Sequence, residues 1–352
     1  MQTENAADVD EGHPVLRVPV GVGELVDGRY RLNARLGAGG AGVVYDATDV
    51  RTGEDVALKL LHPDPAMPDA AVARFAREAE VAGSLGHPNA VAVLEAGTFS
   101  DGSPFLVMER LVGAPLSDIL DDAIELSPAR AAALVAQAAS ALDALHDAGL
   151  VHRDVKPENL FLTEGGTLKL LDFGLAAYAG NRHRLTDGAA LNGTPEYMPP
   201  EVFDYGAPAA AADVYGLAVV AFEMVSGDIP FRRSTPLGLL LAKRSSRAPL
   251  LSEVSHQAVP AGFERAVARS LSRDPTRRHP SAGAFARDLR ASLDDAPATG
   301  ADALGPDTLG LAAVPLGARL SAAARRWAMA SLGGVLATLL LGWILTRVFA
   351  PS

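Results

Sequence analysis

Cysteine is absent from all 352 residues. Its absence excludes a disulfide framework, a thiolate metal site and a cysteine nucleophile, and it fits a reducing compartment without requiring one. Basic residues are in deficit, with 31 Lys and Arg against 42 Asp and Glu for a formal net charge of −11. Surfaces that coat nucleic acid are basic, so the expected partners are proteins and small molecules, with no nucleic acid. A secretory leader is also missing: MQTENAADVDEGHPVLR is acidic and polar, without the basic start and apolar run of a signal peptide. The chain is therefore expected to begin in the cytosol. No internal repeat is visible, and the length predicts one large or two small domains plus tails, enough for a sizeable core.

Residues 1–24 read as an acidic, disordered tail. From GRYRLNARLG to about residue 111, the β-rich runs VVYDATD, DVALKLL, VAVLEAG and FLVMERL, with one helical stretch, DAAVARFAREAEVAGSL, predict a small antiparallel sheet carrying one helix. From about 112 the chain turns helical. SPARAAALVAQAASALDALHDAG has Ser127 placed to cap, Pro128 at the first turn and Gly149 at the close, which predicts a long buried helix. AADVYGLAVVAFEMVSG, PLGLLLAKRSS, GFERAVARSLS and SAGAFARDLRASL continue the pattern to residue 292. Residues 293–324, rich in Ala, Gly and Pro, read as a flexible linker. WAMASLGGVLATLLLGWILT, residues 327–346, carries no charge. At ~1.5 Å per residue such a run matches a bilayer core of roughly 30 Å, so a transmembrane helix is expected, with a short tail at 347–352.

VHRDVKPENLFL, residues 151–162, packs acids, bases and an amide between apolar flanks that read like core strands. A charge held near a core costs several kcal/mol unless paired, so the cluster is either a salt-bridge knot or an active site. Three other constellations decide between these. LGAGGAGVV places Gly37, Gly39 and Gly42 in the order GxGxxGxV, a pattern shared with dinucleotide-binding folds. Those folds open a helix at the third glycine, whereas β-branched VVYDATD, the turn RTGE and DVALKLL predict a hairpin whose glycine turn lies over phosphates. Lys59 sits in the second strand, where simple alternation would make it solvent-facing, and Glu78 follows on the helix as a partner for its ammonium. TLKLLDFGL then supplies Asp172, Phe173 and Gly174. Phosphoryl transfer needs oxygen ligands for metal ions and a carboxylate near the attacking hydroxyl. Asp172 and Asn159 offer the first, and Asp154 the second.

In these features, which run in order through GxGxxGxV, VALK, Glu78, HRDVKPEN, DFG and GTPEYMPPE, the chain resembles the eukaryotic-type (Hanks-type) Ser/Thr protein kinases, particularly the membrane-anchored bacterial members, from about residue 28 to 292. The resemblance implies an α+β, bilobal protein kinase fold with a small antiparallel-sheet lobe and a larger helical lobe. It also implies ATP as phosphate donor, Mg²⁺ with Mn²⁺ as a substitute, and proteins with Ser/Thr acceptors as substrates. Lys156, two residues after Asp154, resembles the Ser/Thr subclass and would contact the transferring phosphate. Around the nucleotide it implies Leu36, Gly37, Ala38, Gly39, Gly40, Ala41, Gly42, Val44, Ala57, Lys59, Met108, Glu109, Leu111 and Phe161, with Met108 guarding the back of the adenine pocket. Asp213 would brace the catalytic loop, and Arg278 would pair with Glu201. Departures are Pro199-Pro200-Glu201 in place of APE, Tyr215 for the usual tryptophan and Ala218 for a glycine. These put substrate-side packing in doubt, not catalysis.

Arg153 precedes the catalytic aspartate, a place where a positive charge commonly waits for a phosphorylated activation segment. No serine lies between Asp172 and Glu201, and the threonines there are Thr186 and Thr194. The family's equivalent of Thr194 hydrogen-bonds the catalytic Asp and Lys, which leaves Thr186 as the activating site. ATP supply and Arg319, Arg325 and Arg326 against Arg347 place the kinase on the cytoplasmic side of the inner (plasma) membrane. Ala330/Gly334 and Gly333/Ala337 have the small-xxx-small spacing that permits a homodimer. A catalytically silent scaffold and a small-molecule phosphotransferase are the rival readings.

Overall fold

The computed structural model describes residues 21–39, 42–61, 77, 79–81, 83–98, 104–123, 125–172, 194–201 and 209–294. The chain divides into Met1–Ala298 and Thr299–Ser352, and every described residue lies in the first unit. Gly40, Ala41, Glu78, Phe173, Gly174, Thr186, the 293–324 linker beyond Asp294 and the 327–346 run lie outside the described residues. Among the described residues, no helix is long and apolar enough to cross a membrane.

The β-rich runs fold into one antiparallel sheet. Its strands are β1 (Leu25–Val26), β2 (Tyr30–Gly39), β3 (Gly42–Asp49), β4 (Asp55–Leu61), β5 (Val93–Thr98) and β6 (Pro104–Glu109), in the order β1-β2-β3-β4-β6-β5. One face closes over Tyr30, Leu32, Tyr45, Leu58, Leu60 and Phe105. The other, with Ala57, Leu61, Leu106 and Met108, joins the main core. β4 is thus buried on both faces from Val56 onward, and Lys59 is only 5% exposed instead of lying on a solvent-facing side. At the turn end of β3, Gly42 stands against the Leu60 carbonyl oxygen, which a Cβ would strike. Between β4 and β5, Arg77, 79–81 and 83–84 are helical, as the sequence predicts.

The second lobe opens with a small sheet, β7 (Gly113–Pro115), β8 (Leu160–Thr163) and β9 (Leu168–Leu170). Its helices are α1 (Leu116–Asp122), α2 (Pro128–Asp147), α3 (Ala210–Ser226), α4 (Pro236–Ser245), α5 (Leu251–Val254), α6 (Ala261–Ser270) and α7 (Ala282–Asp294). α2 begins where the sequence places it: the Ser127 hydroxyl accepts the Arg130 N–H at 3.2 Å, and Gly149 leaves the helix at φ 77°. α3 is the central element, buried at every residue from Ala212 to Ser226 except Glu223.

Besides the Lys59–Asp172 ion pair, hydrogen bonds join the lobes in two places. The first is the chain crossing from β6 to β7. There the Glu109 carboxylate accepts from Lys169 Nζ of β9 at 2.7 Å and from the Ala92 N–H at 2.8 Å. The second lies at residues 89–91, ahead of β5. The Leu170 N–H donates to the Asn89 carbonyl at 2.7 Å, the Val91 N–H donates to the Leu170 carbonyl at 3.0 Å, and Asn89 Nδ2 donates to the Leu168 carbonyl at 2.9 Å.

Candidate active site

Of the apolar flanks around 151–162, only the downstream one becomes a strand, β8. The upstream residues run irregularly because Asp213 of α3 takes the N–H groups a strand ladder would use. Its carboxylate, 1% exposed, accepts from the His152 and Arg153 N–H groups at 2.8 Å each and from His146 Nε2 at 2.7 Å. This grip holds Arg153 at φ 71°, a left-handed conformation costing a side-chain-bearing residue about 1 kcal/mol or more. Gly216, one turn further along α3, packs against Val155, so the same helix fixes the loop beyond its charged residues.

The loop's chemistry converges on Asp154. Asn159, buried in a short 3₁₀ turn, donates Nδ2 to the Asp154 carbonyl at 2.7 Å and to Asp154 Oδ2 at 2.9 Å. Lys156 Nζ lies 2.8 Å from the same Oδ2. Charge-assisted contacts on one oxygen orient the carboxylate. Because Asn159 turns its N–H toward Asp154, its amide oxygen is directed elsewhere.

The β8–β9 hairpin carries the chain back to Asp172. His152 Nε2 meets the Leu171 carbonyl at 2.7 Å, which assigns its proton to Nε2, while Nδ1 faces the Asp154 N–H at 3.3 Å. The Leu171 N–H donates to the Asn159 carbonyl at 2.8 Å, so the loop and the segment entering Asp172 are stitched from both sides. Asp172 also has a left-handed backbone, φ 59°, and its Oδ2 receives Lys59 Nζ at 2.6 Å. Glu78, the partner the sequence offers Lys59, lies outside the described residues, and the partner observed is Asp172. The strand register sets Val44 opposite Lys59 and Ala57 opposite Met108, so the residues expected around a nucleotide share adjoining strands. Leu36 is exposed near the end of β2, Leu111 lies half-buried in the crossing between lobes, and Phe161 is half-buried in β8.

Hard oxygen donors suit a divalent cation such as Mg²⁺, which keeps waters and substrate phosphates in its remaining positions. The Asp172 carboxylate and the Asn159 amide oxygen are such donors, on segments tied to each other by the Leu171–Asn159 bond, so the residues present fit a metal.

Residues 194–201 follow on the described chain. Thr194 is half-buried, and its carbonyl accepts the Tyr197 N–H at 3.2 Å. Among the described residues its hydroxyl makes no hydrogen bond to Asp154 or Lys156, which are paired with each other instead. Glu201 forms a two-pronged pair with Arg278 at 2.6 and 2.7 Å, as the resemblance implies, and Arg278 also reaches the Ala211 and Ser272 carbonyls. Tyr215, standing where a tryptophan is usual, lies 4.9 Å from the Arg278 guanidinium. Two further partners were missed from the sequence. Tyr197 donates its hydroxyl to Glu223 of α3 at 2.7 Å, and burial pushes the Glu223 carboxyl up to about 7. Lys243 of α4 reaches the backbone of the same segment, and burial pushes its ammonium down to about 7, opposed by Glu196.

Residues 30–281 match the protein kinase domain family, and the chain belongs to it. Among curated relatives it is similar to the Serine/threonine-protein kinase pkn3 of Myxococcus xanthus, 34% identical over 77% of this chain and 51% of that protein. It is also similar to the Serine/threonine-protein kinase PknB of Mycobacterium tuberculosis, 35% identical over 74% of this chain and 42% of that one. The chain thus spans about half the length of the curated relatives it matches. Among solved structures, the crystal structure of the Mycobacterium tuberculosis PknI kinase domain aligns with a TM-score of 0.62 at 29% identity, over 78% of this chain and 99% of that domain.

Proposed function

We propose that the chain is an ATP- and Mg²⁺-dependent Ser/Thr protein kinase, with Mn²⁺ as a possible substitute, carried on the cytoplasmic face of a membrane by residues 327–346. The observation that carries the catalytic part is the convergence on Asp154: one carboxylate oriented by Asn159 and Lys156, on a loop bonded to the segment that ends in the Lys59–Asp172 pair.

In this reading Asp154 orients the acceptor hydroxyl and takes its proton. The hydroxyl oxygen forms its bond to the γ-phosphorus as the bond to the ADP oxygen breaks. Lys156 balances charge gathering on the transferred group, and Lys59 with Glu78 orients the α- and β-phosphates. Asp172 and Asn159 would hold the metal, which when bound neutralises phosphate charge. Val44, Ala57, Met108 and the Glu109–Leu111 backbone surround adenine beneath the glycine strands. Residues 194–201 support the acceptor peptide, Thr186 is the activating site, and exposed Arg153 is the cation its phosphate would meet. Pairing of the membrane helices through Ala330/Gly334 and Gly333/Ala337 would promote phosphorylation in trans.

The test is transfer from labelled ATP with Mg²⁺ by the full chain in membranes, to itself and to dephosphorylated casein, beside Asp154→Asn. Loss of a general base costs on the order of 10²–10⁴-fold, so label is expected in wild type alone, with Thr186 carrying it in the chain itself. Equal labelling of both proteins, or ATP binding without transfer by the wild type, would overturn the kinase reading. Active enzyme with Thr186 unmodified would remove only the switch.

A further inference from the structure

Lys243 is out of place for a lysine. It belongs to α4, whose Thr235 hydroxyl caps the first turn at Gly238 N–H, 3.1 Å away, and whose two basic residues close the last turn. A lysine there ordinarily projects into water. Here the side chain turns inward and is 1% exposed, while Leu237 and Leu241 of the same helix are 63% and 56% exposed. Its Nζ is 2.7 Å from the Pro195 carbonyl, 2.6 Å from that of Glu196 and 2.6 Å from that of Met198. The Tyr215 ring lies beside it, 5.6 Å away.

An ammonium has three N–H bonds, and three carbonyl oxygens meet them. A neutral amine offers two and turns a lone pair on the remaining oxygen. Without the ammonium, carbonyls drawn to one buried point would repel each other and lack partners, each a loss that a buried acceptor does not tolerate. The backbone of 195–198 is therefore bent around this single nitrogen. Tyr197, between the bonded carbonyls, is fastened separately through its hydroxyl to Glu223. No contact links Lys243 to Lys59, Asp154, Asn159 or Asp172 among the described residues.

We propose that Lys243 is a positioning residue for the protein acceptor: its ammonium gathers the carbonyls of Pro195, Glu196 and Met198 and so sets the surface on which the acceptor peptide lies. The inference rests on the kinase reading and deepens it. A residue acting this way governs how the acceptor engages and leaves ATP engagement alone. A lysine that merely stabilised the lobe would affect both through the folded fraction.

The test compares full-length wild type with Lys243→Met, Lys243→Gln and Lys243→Arg. KM is measured separately for ATP and for whichever acceptor the wild type labels faster, dephosphorylated casein or a peptide of residues 181–201, and melting temperature is recorded beside them. Lys243→Met is expected to raise the acceptor KM tenfold or more with the ATP KM within twofold, and Lys243→Arg, which restores charge and donors, is expected to recover most of the loss. Should Lys243→Met fail to fold, Lys243→Gln carries the same criterion. An unchanged acceptor KM, or acceptor and ATP effects that move together with the melting temperature, would overturn the proposal. A wild type that labels neither acceptor counts against the kinase reading beneath it, a result distinct from a labelling enzyme indifferent to Lys243.

Discussion

Asp213 never approaches a substrate in the proposed mechanism, yet it decides the path of the loop that does. All its bonds are accepted bonds, two of them from backbone N–H groups. Asp213→Asn puts an NH₂ where an acceptor is required, and leaving a buried donor unmet costs about 1–3 kcal/mol. Phosphate transfer is expected to fall at least tenfold while ATP still binds, which separate transfer and ATP-binding measurements will show. Gly42→Ala should act on the other side of the site. The new methyl meets the Leu60 carbonyl, so the β3–β4 pairing must open near the glycine turn, raising the ATP KM severalfold and lowering stability by about 1–3 kcal/mol. Most residues at this scale were legible because spacing carries them: Asp154 to Asn159, and Lys59 inside an apolar strand. Lys59's observed partner was not, since Asp172 lies far along the chain and only the fold brings it within reach. Lys243 left one trace: it stands four residues after buried Leu239, on the same helical stripe.

Among the elements, the 194–201 segment is held by ionisable side chains with distinct signatures: Glu223 of α3, Lys243 of α4 and Arg278 ahead of α7. The Arg278–Glu201 pair has a guanidinium with no exposure. Arg278→Met strands the carboxylate against an apolar side chain, and breaking such a pair costs on the order of 3–5 kcal/mol. A drop of about 10 °C in melting temperature is expected by calorimetry. Glu223 sets a pH dependence. Its carboxyl ordinarily titrates near 4.5, and burial raises it to about 7, with Glu158 and Asp228 adding to the rise while the Tyr197 hydroxyl and Arg232 oppose it. Between those values the folded protein holds the proton that the unfolded chain has released, so stability falls as pH rises from about 4.5 through 7. Lys243 does not share that window: burial lowers its ammonium from 10.5 only to about 7, so below 7 it is protonated in both states. Glu223→Gln should flatten the slope between pH 4.5 and 7 in denaturant titrations and leave the slope above it. The elements themselves were readable where a signal was local, as with Ser127, Pro128 and Gly149 around α2. β1 and β7, of two and three residues, were missed because strands so short carry no period, and pairing with β2 and β8 alone defines them.

For the molecule as a whole, the sheet lobe and the helical lobe follow from the change in periodicity near residue 111. The proposed membrane anchor rests on the hydropathy of 327–346, beyond the described residues. Removing residues 327–352 is expected to move the protein from the membrane pellet to the supernatant after fractionation while phosphate transfer to casein persists. A truncated chain still in the pellet would rule the segment out as the anchor.

Glu109 bound to Lys169 and Ala92, and Asn89 with Val91 bound along β9, are separate fastenings between the lobes. Two bodies pinned at one point keep three rotations, but pinned at two they keep only rotation about the line through both. Both fastenings end on β9, which leads within two residues to Asp172. The Lys59–Asp172 pair is a third tie just past β9, so the rotation that two pins leave to one lobe against the other bears directly on that pair.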